Sequence, residues 1–260
     1  MCIDGCLREH RMRVAGRRTG RTDMLEKGVG SILKRAIYTA ALFDLTYTAA
    51  RPLFEHTVYP WEILPDLCTF LTEYGQNLPA EDYDRAGDGV WIAKSAVVAP
   101  TAEIRGPAVI GPGAEVRHCA YIRGGALVGE GCVVGNSCEL KNCVLFDGAK
   151  APHYNYIGDS VLGHGAHMGA GAVTSNVKSD KTPVRVKWGG AEAGEIVTGL
   201  RKLGAMVGDF VEIGCNSVLC PGSVIGRGTI VYPLSRVRGV IEAERIYKGG
   251  ADVVARERRS

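Results

Sequence analysis

An aliphatic side chain recurs every six residues along much of this chain: Ile92, Val98, Ile104, Ile110, Val116, Ile122, Val128, Val134 and Leu140. Four residues after each comes a second, mostly small side chain: Ala96, Ala102, Ala108, Ala114, Ala120, Ala126, Cys132, Cys138 and finally Val144. Neither the helical period of 3.6 nor the strand period of 2 produces this pattern. It returns as Val207, Ile213, Leu219, Ile225, Val231 and Val237, with Val211, Ser217, Ser223, Thr229, Ser235 and Ile241 as partners. Between the two runs, Ile157, Leu162 and Met168 continue it with five-residue slips. A period of six implies one short strand and one turn per repeat. The aliphatic residue points into a narrow core, the small one fits the bend, and the glycine that often follows permits a tight turn. Glycine is accordingly abundant, at 35 of 260 residues. Cys132 and Cys138 sit at small-residue positions, which assigns them to packing rather than chemistry.

The pattern resembles the hexapeptide-repeat acyltransferase superfamily. The resemblance implies an all-β solenoid, a left-handed parallel β-helix with three hexapeptides per triangular coil, an exception to the right-handed crossover rule. Coils then stack at about 4.8 Å. Around the solenoid, assigned to residues 91–248, residues 24–90 read as a helical N-terminal cap. Leu25 to Ala50 has helical spacing, and Trp61 to Tyr74 follows a proline start at Pro60. Such a cap would cover the open end of the solenoid. Residues 175–203 interrupt the repeat and read as a hairpin loop built on Val184–Trp188 and Glu195–Thr198. Residues 249–260 read as a charged tail.

Charge excludes one class of partner. Residues 1–23 hold six arginines against Asp4, Glu9 and Asp23, which accounts for the whole net charge of +3. The body is neutral, so nothing in it points to nucleic acid. The arginine-rich segment reads as a disordered extension, or as sequence upstream of a natural start at Met24. No run of 18 apolar residues predicts a membrane span, and no apolar stretch near the N-terminus reads as a signal peptide. Nine cysteines form no CxxC pair, which points to a reducing, cytoplasmic compartment rather than a disulfide framework.

Residues eighteen apart should stack on one face. Arg105, Arg123 and Lys141 are so spaced, forming a column of cations about 4.8 Å apart. Like charges this close repel unless an anion sits among them, and the Arg and Lys pairing suits phosphate. A solvated basic face is the alternative. His118, His164 and His167 raise a zinc site of the γ-class carbonic anhydrase type. That family begins its site with Arg-Gly-Asp, whereas this chain has Arg123-Gly124-Gly125, with no carboxylate, so no metal is expected.

A second, more specific resemblance covers Tyr121 to Asn176. It rests on Ile122-Arg123-Gly124-Gly125, on Gly135-Asn136-Ser137-Cys138-Glu139-Leu140-Lys141, and on Lys150-Ala151-Pro152-His153-Tyr154-Asn155-Tyr156-Ile157-Gly158-Asp159. It ends on Met168-Gly169-Ala170-Gly171. These are similar to the acetyltransferase half of the bacterial bifunctional N-acetylglucosamine-1-phosphate uridyltransferase/glucosamine-1-phosphate acetyltransferase family. The resemblance implies acetyl-CoA as co-substrate, a homotrimer with sites between adjacent prisms, and an amino-sugar phosphate as acceptor. It implies that His153 is the general base, that Glu139 orients it, and that Arg123 and Lys141 hold the phosphate. Tyr156 and Asn176 then complete the sugar site. Ala170 lies on the coenzyme path, and Cys215 stands where the family has a serine near the acetyl group. His167 replaces an asparagine that holds the sugar, and Val177 replaces a tyrosine. Residues 1–90 are too short for a nucleotidyltransferase domain, so that activity would belong to a separate partner. A non-catalytic sugar-phosphate-binding or assembly module is the competing reading.

Overall fold

The interior of the molecule is lined by the six-residue repeat: the aliphatic residues from Ile92 to Leu140 and from Val207 to Val237 face one continuous core. The structure, a computed structural model, describes residues 35–189, 193–250 and 252–257. The expected arginine-rich extension, the Met24 boundary and the start of the helical stretch from Leu25 lie outside the described residues.

Short parallel strands stack in three columns. The first runs from Val90–Ala93 through Ala108–Ile110 and Ala126–Val128 to Val240–Ile241. The second runs from Val97–Val98 to Arg245–Gly249, and the third from Glu103–Ile104 to Arg236–Val237. The strands Glu139–Leu145 and Tyr156–Leu162 turn the corner from the third column into the first. Register is set by the repeat, so that Ile104, Ile122 and Leu140 align. This is the parallel β-helix that the sequence predicts. Cys132 and Cys138 are buried in it, and burial pushes the Cys132 thiol up to about 12.

Two partner positions differ from the sequence reading. Leu140 aligns with Ile157 and Leu145 with Leu162, so two coils are one residue short. The shortening falls at the corner that holds Asn142 and Asp159, both with left-handed backbone (φ +47° and +49°). Consequently Leu145 takes the core position, while Val144 faces outward and is buried beneath other elements. Ile241 is likewise a core residue aligned with Ile225, not a small partner.

The N-terminal segment is less helical than its spacing predicts. Its described part contains the short helices Thr39–Leu42 and Arg51–Phe54, with the 3-10 turn Leu45–Tyr47 between them. The stretch expected to be helical from Trp61 to Tyr74 divides into a 3-10 turn, Pro60–Ile63, and the helix Leu67–Gln76. Pro65, which has no N–H to donate, lies between them. These elements cover a flank of the solenoid rather than its end. The outward row Trp91, Val109, Leu127, Val144 and Val161 is buried against residues such as Phe43, Phe54, Leu67 and Leu71. Gly75 lets the helix close on Trp91: a Cβ there would lie 2.2 Å from the indole. An apolar outer row needs apolar cover, whereas a sheet edge needs only backbone partners. At each end of the solenoid one column obtains these from an antiparallel strand. Tyr83–Gly87, within the segment read as helical, pairs with Val90–Ala93. Asp252–Ala255, within the segment read as a tail, pairs with Arg245–Gly249.

The interruption contains a hairpin, Arg185–Trp188 against Gly194–Val197. Val184 and Val186 are fully buried, and pack in the same outer cluster as Val224 and Val240.

Candidate active site

The column Arg105, Arg123 and Lys141 stands on the third face, in register. The repulsion expected along it is relieved by the chain's own carboxylates. Arg105 Nε donates to Glu103 Oε1 at 2.7 Å, and Arg123 Nη1 donates to Glu139 Oε1 at 2.8 Å. Lys141 Nζ lies 3.2 and 3.3 Å from the two oxygens of Asp159. The Arg105 guanidinium also sits over the Tyr121 ring, 5.4 Å from its centroid.

Asp159 is the centre of this cluster. It is 3% exposed, and an ionised carboxylate at such a site requires partners. Besides Lys141, it accepts from Asn142 Nδ2 at 2.9 Å and from Asn176 Nδ2. Asn176 also donates to the Tyr156 hydroxyl at 3.2 Å. Tyr156 aligns directly with Glu139 on the neighbouring coil. Its phenol is pushed up by burial, with the carboxylates of Asp159 and Glu139 adding to the effect. Arg123, Glu139, Tyr156, Asn176, Asp159 and Lys141 thus form one continuous polar group. The sequence reading singled out five of these six. Asp159 and Asn142 were missed, although Asp159 closes the His153 motif. Their signal is the coil shortening, which places both at one corner.

His153 lies apart from this group. It ends the second-face strand Lys150–His153 and is exposed. Its imidazole makes no hydrogen bond among the described residues. Its backbone N donates to Asn155 Oδ1 at 3.1 Å. Asn155, 2% exposed, donates in turn to the carbonyls of Gly169 and Ala172 at 2.8 and 3.0 Å. Asn155 therefore locks the turn that presents His153, another role not read from the sequence.

The next two coils carry Ala170 and Cys215 directly below His153. Gly171 N donates to the His153 carbonyl, Asn216 N to that of Ala170, and Leu234 N to that of Cys215. Along this corner one residue per coil adopts left-handed backbone: Cys119, Ser137, Tyr154, Gly171, Asn216 and Leu234. The base candidate and both coenzyme candidates therefore form one row with a step of about 4.8 Å.

Among the described residues of one chain, Glu139 is occupied by Arg123 and makes no hydrogen bond to His153. His167 is separate again, with Nδ1 2.9 Å from Glu212 Oε2 on the next coil. The other histidines have different partners. His118 Nδ1 lies 2.6 Å from Thr101 Oγ1. His164 Nδ1 lies 2.6 Å from the Asp147 carbonyl, and its ring stacks on Tyr47 with centroids 3.8 Å apart. No group of three metal-ligating side chains converges among the described residues, nor is any described helix long and apolar enough to cross a membrane.

Fold and motifs together define the class: this is a hexapeptide-repeat parallel β-helix protein. More particularly, it resembles the acetyltransferase half of bifunctional sugar-1-phosphate enzymes. Residues 104–188 match the family model described as the GMPPB C-terminal domain. The chain is 32% identical over 203 residues to the bifunctional protein GlmU of Methanococcus maripaludis, covering 77% of this chain and 48% of that one. It is 37% identical over 114 residues to a bifunctional sugar-1-phosphate nucleotidylyltransferase/acetyltransferase of Sulfurisphaera tokodaii, covering 44% of this chain and 28% of that one. The chain thus spans less than half the length of either relative. Among solved structures, AntD, an N-acyltransferase from Bacillus cereus in complex with dTDP and coenzyme A, is 18% identical. That match covers 65% of this chain and 82% of AntD, with a TM-score of 0.34.

Proposed function

We propose that the protein is an acetyl-CoA-dependent N-acetyltransferase acting on an amino-sugar phosphate, a precursor of nucleotide sugars of the UDP-N-acetylglucosamine type. The observation that carries this reading is the row His153, Ala170, Cys215. It offers an exposed imidazole at the head of a straight, small-residue track along which an extended thioester could lie. The sugar amine attacks the thioester carbonyl carbon, forming the C–N bond. His153 takes the proton shed by nitrogen. The C–S bond then breaks, the proton held by His153 passes to the departing sulfur, and the coenzyme leaves as its thiol.

Arg123 and Lys141 would hold the sugar phosphate. Each must share itself between the ligand and a carboxylate already in place, an arrangement that keeps both side chains extended and preorganised. Tyr156, Asn176 and His167 would meet the sugar.

Assembly as a homotrimer completes this reading. The first face is covered by the chain's own N-terminal elements and hairpin, while His153 and Lys141 stand at opposite edges of the third face. A neighbouring prism is what would bring one edge to the other, and would give Glu139 access to a histidine across the seam. A monomer in light scattering at micromolar concentration would remove this model.

A second reading is favoured by the occupied state of Glu139 and by the match to a C-terminal domain: a sugar-phosphate-binding module that serves a separate nucleotidyltransferase. The deciding experiment is thiol release from acetyl-CoA with a panel of amino-sugar 1-phosphates. Release that depends on the amino sugar supports the transferase. Binding of the phosphates without release supports the module.

A further inference from the structure

The interruption at 175–203 builds a second basic cleft, away from the column just described. The strand Arg185–Trp188 lies on two corner glycines. At Gly222 (φ +77°) a Cβ would come within 2.8 Å of Val184 Cγ1, and at Gly239 (φ +80°) within 2.6 Å of the Lys187 carbonyl. Only residues without a side chain allow the hairpin to approach this closely. With Val184 and Val186 buried, strand alternation turns Arg185 and Lys187 the other way. There they line a cavity of about 290 Å³ together with Lys178, Arg238, Cys220 and Pro221.

The charges of the described residues in this cleft do not balance. Arg185 and Lys187 share a single carboxylate, that of Glu195. Lys178 is held by Asp180 at 3.2 Å. Arg238 has no ion pair among the described residues. Among the described residues, four cations therefore face two carboxylates, whereas in the Arg105, Arg123 and Lys141 column each cation has a carboxylate of its own. Uncompensated like charges gathered in a cleft concentrate anions. Arginine forks with lysine point charges match phosphate oxygens in particular. The surplus of two charges, contributed from two walls, suits two linked phosphates better than one.

Arg238 belongs to the same vertical row as Lys141, but four coils further on, through Gly158, Ser175 and Cys220. At the ordinary spacing this is about 19 Å, too far for one phosphate group to touch both places.

We propose that this cleft is a second anion site, which takes the diphosphate group of a small-molecule ligand. It does not depend on the acetyl-transfer reading, because its test requires no turnover.

The test is calorimetric titration of the full chain with inorganic pyrophosphate and, separately, with ADP. Arg238→Gln and Lys187→Gln, on different walls, should each weaken pyrophosphate binding about tenfold to a hundredfold, the range for a charge-assisted hydrogen bond. Arg123→Gln should leave that site within about twofold. Both cleft side chains are exposed, so the melting temperatures of the variants should match that of the parent. ADP that binds like pyrophosphate would place recognition in the phosphates alone, while tighter ADP binding would add a nucleoside to the site. Absence of pyrophosphate binding at millimolar concentration would overturn the proposal. So would loss of binding on Arg123→Gln with none on Arg238→Gln.

Discussion

Coils that keep eighteen residues and the two that shorten to seventeen solve the same corner differently. At the turn from the third face to the first, coils of eighteen residues use Gly125 and Gly222, both at positive φ. The short coils place Asn142 and Asp159 in the same left-handed region, where asparagine and aspartate are the side chains tolerated best. Glycine meets a backbone need and adds nothing else. Asn142 and Asp159 meet the same need and also gather Lys141, Asn176 and Tyr156 around a buried carboxylate. The regular corner is built by glycine alone, and the buried polar cluster collects where the repeat loses a residue.

The strongest test of that contrast is His153→Ala, on a shortened coil. It should lower kcat in the thiol-release assay by about 10²–10⁴ with little change in acetyl-CoA affinity. His164→Ala, stacked on Tyr47, should cost stability and leave kcat near the parent value. Equal kcat losses in the two variants would break the distinction between site and scaffold.

Next in size is a steric pair. A Cβ at Gly135 would lie 1.6 Å from the Pro152 carbonyl of the adjoining short coil, whereas at Gly113 nothing lies within 4 Å. Gly135→Ala should cost about 3 kcal/mol or more in urea unfolding. Gly113→Ala, which has only its positive φ to overcome, should cost about 1–2 kcal/mol.

Asp159→Ala should destabilise the protein by about 2–4 kcal/mol, because Lys141, Asn142 and Asn176 lose their shared partner. It should also weaken sugar-phosphate binding, since Lys141 is then free to move. Arg105→Ala, on a long coil and paired only at the surface, should leave the melting temperature close to that of the parent.

The finest test lies within the column. Arg123→Ala should weaken binding of an amino-sugar phosphate by about 1.5–3 kcal/mol, and that of the unphosphorylated sugar far less. Equal losses for both ligands would mean that the column does not read phosphate.

The repeat from Ile92 to Leu140 announces the solenoid because each coil copies the last, and a strictly periodic core is visible in one dimension. The motif residues are visible for a different reason, the family resemblance that singles them out. That His153, Ala170 and Cys215 share one corner, across steps of 17 and 45 residues, is decided by the register of the coils. The cover of the first face is harder to see. Trp91, Val109, Leu127, Val144 and Val161 precede the core residues and read as part of the same apolar run, although they point outward. The N-terminal elements that bury them have no period of their own.

What the sequence determined by itself is the coil, its three faces and the residues presented at its corners, since local periodicity sets which way each side chain points. Only the tertiary structure decided the partners. Arg123 takes Glu139 and Lys141 takes Asp159 across 16 and 18 residues, in a register shifted by one-residue slips. Arg238 joins the Lys141 row across a 45-residue coil, from Val173 to Val218. Ion pairing depends on distances of a few ångströms, so a single slip or insertion redirects it while the hydrophobic period continues unchanged.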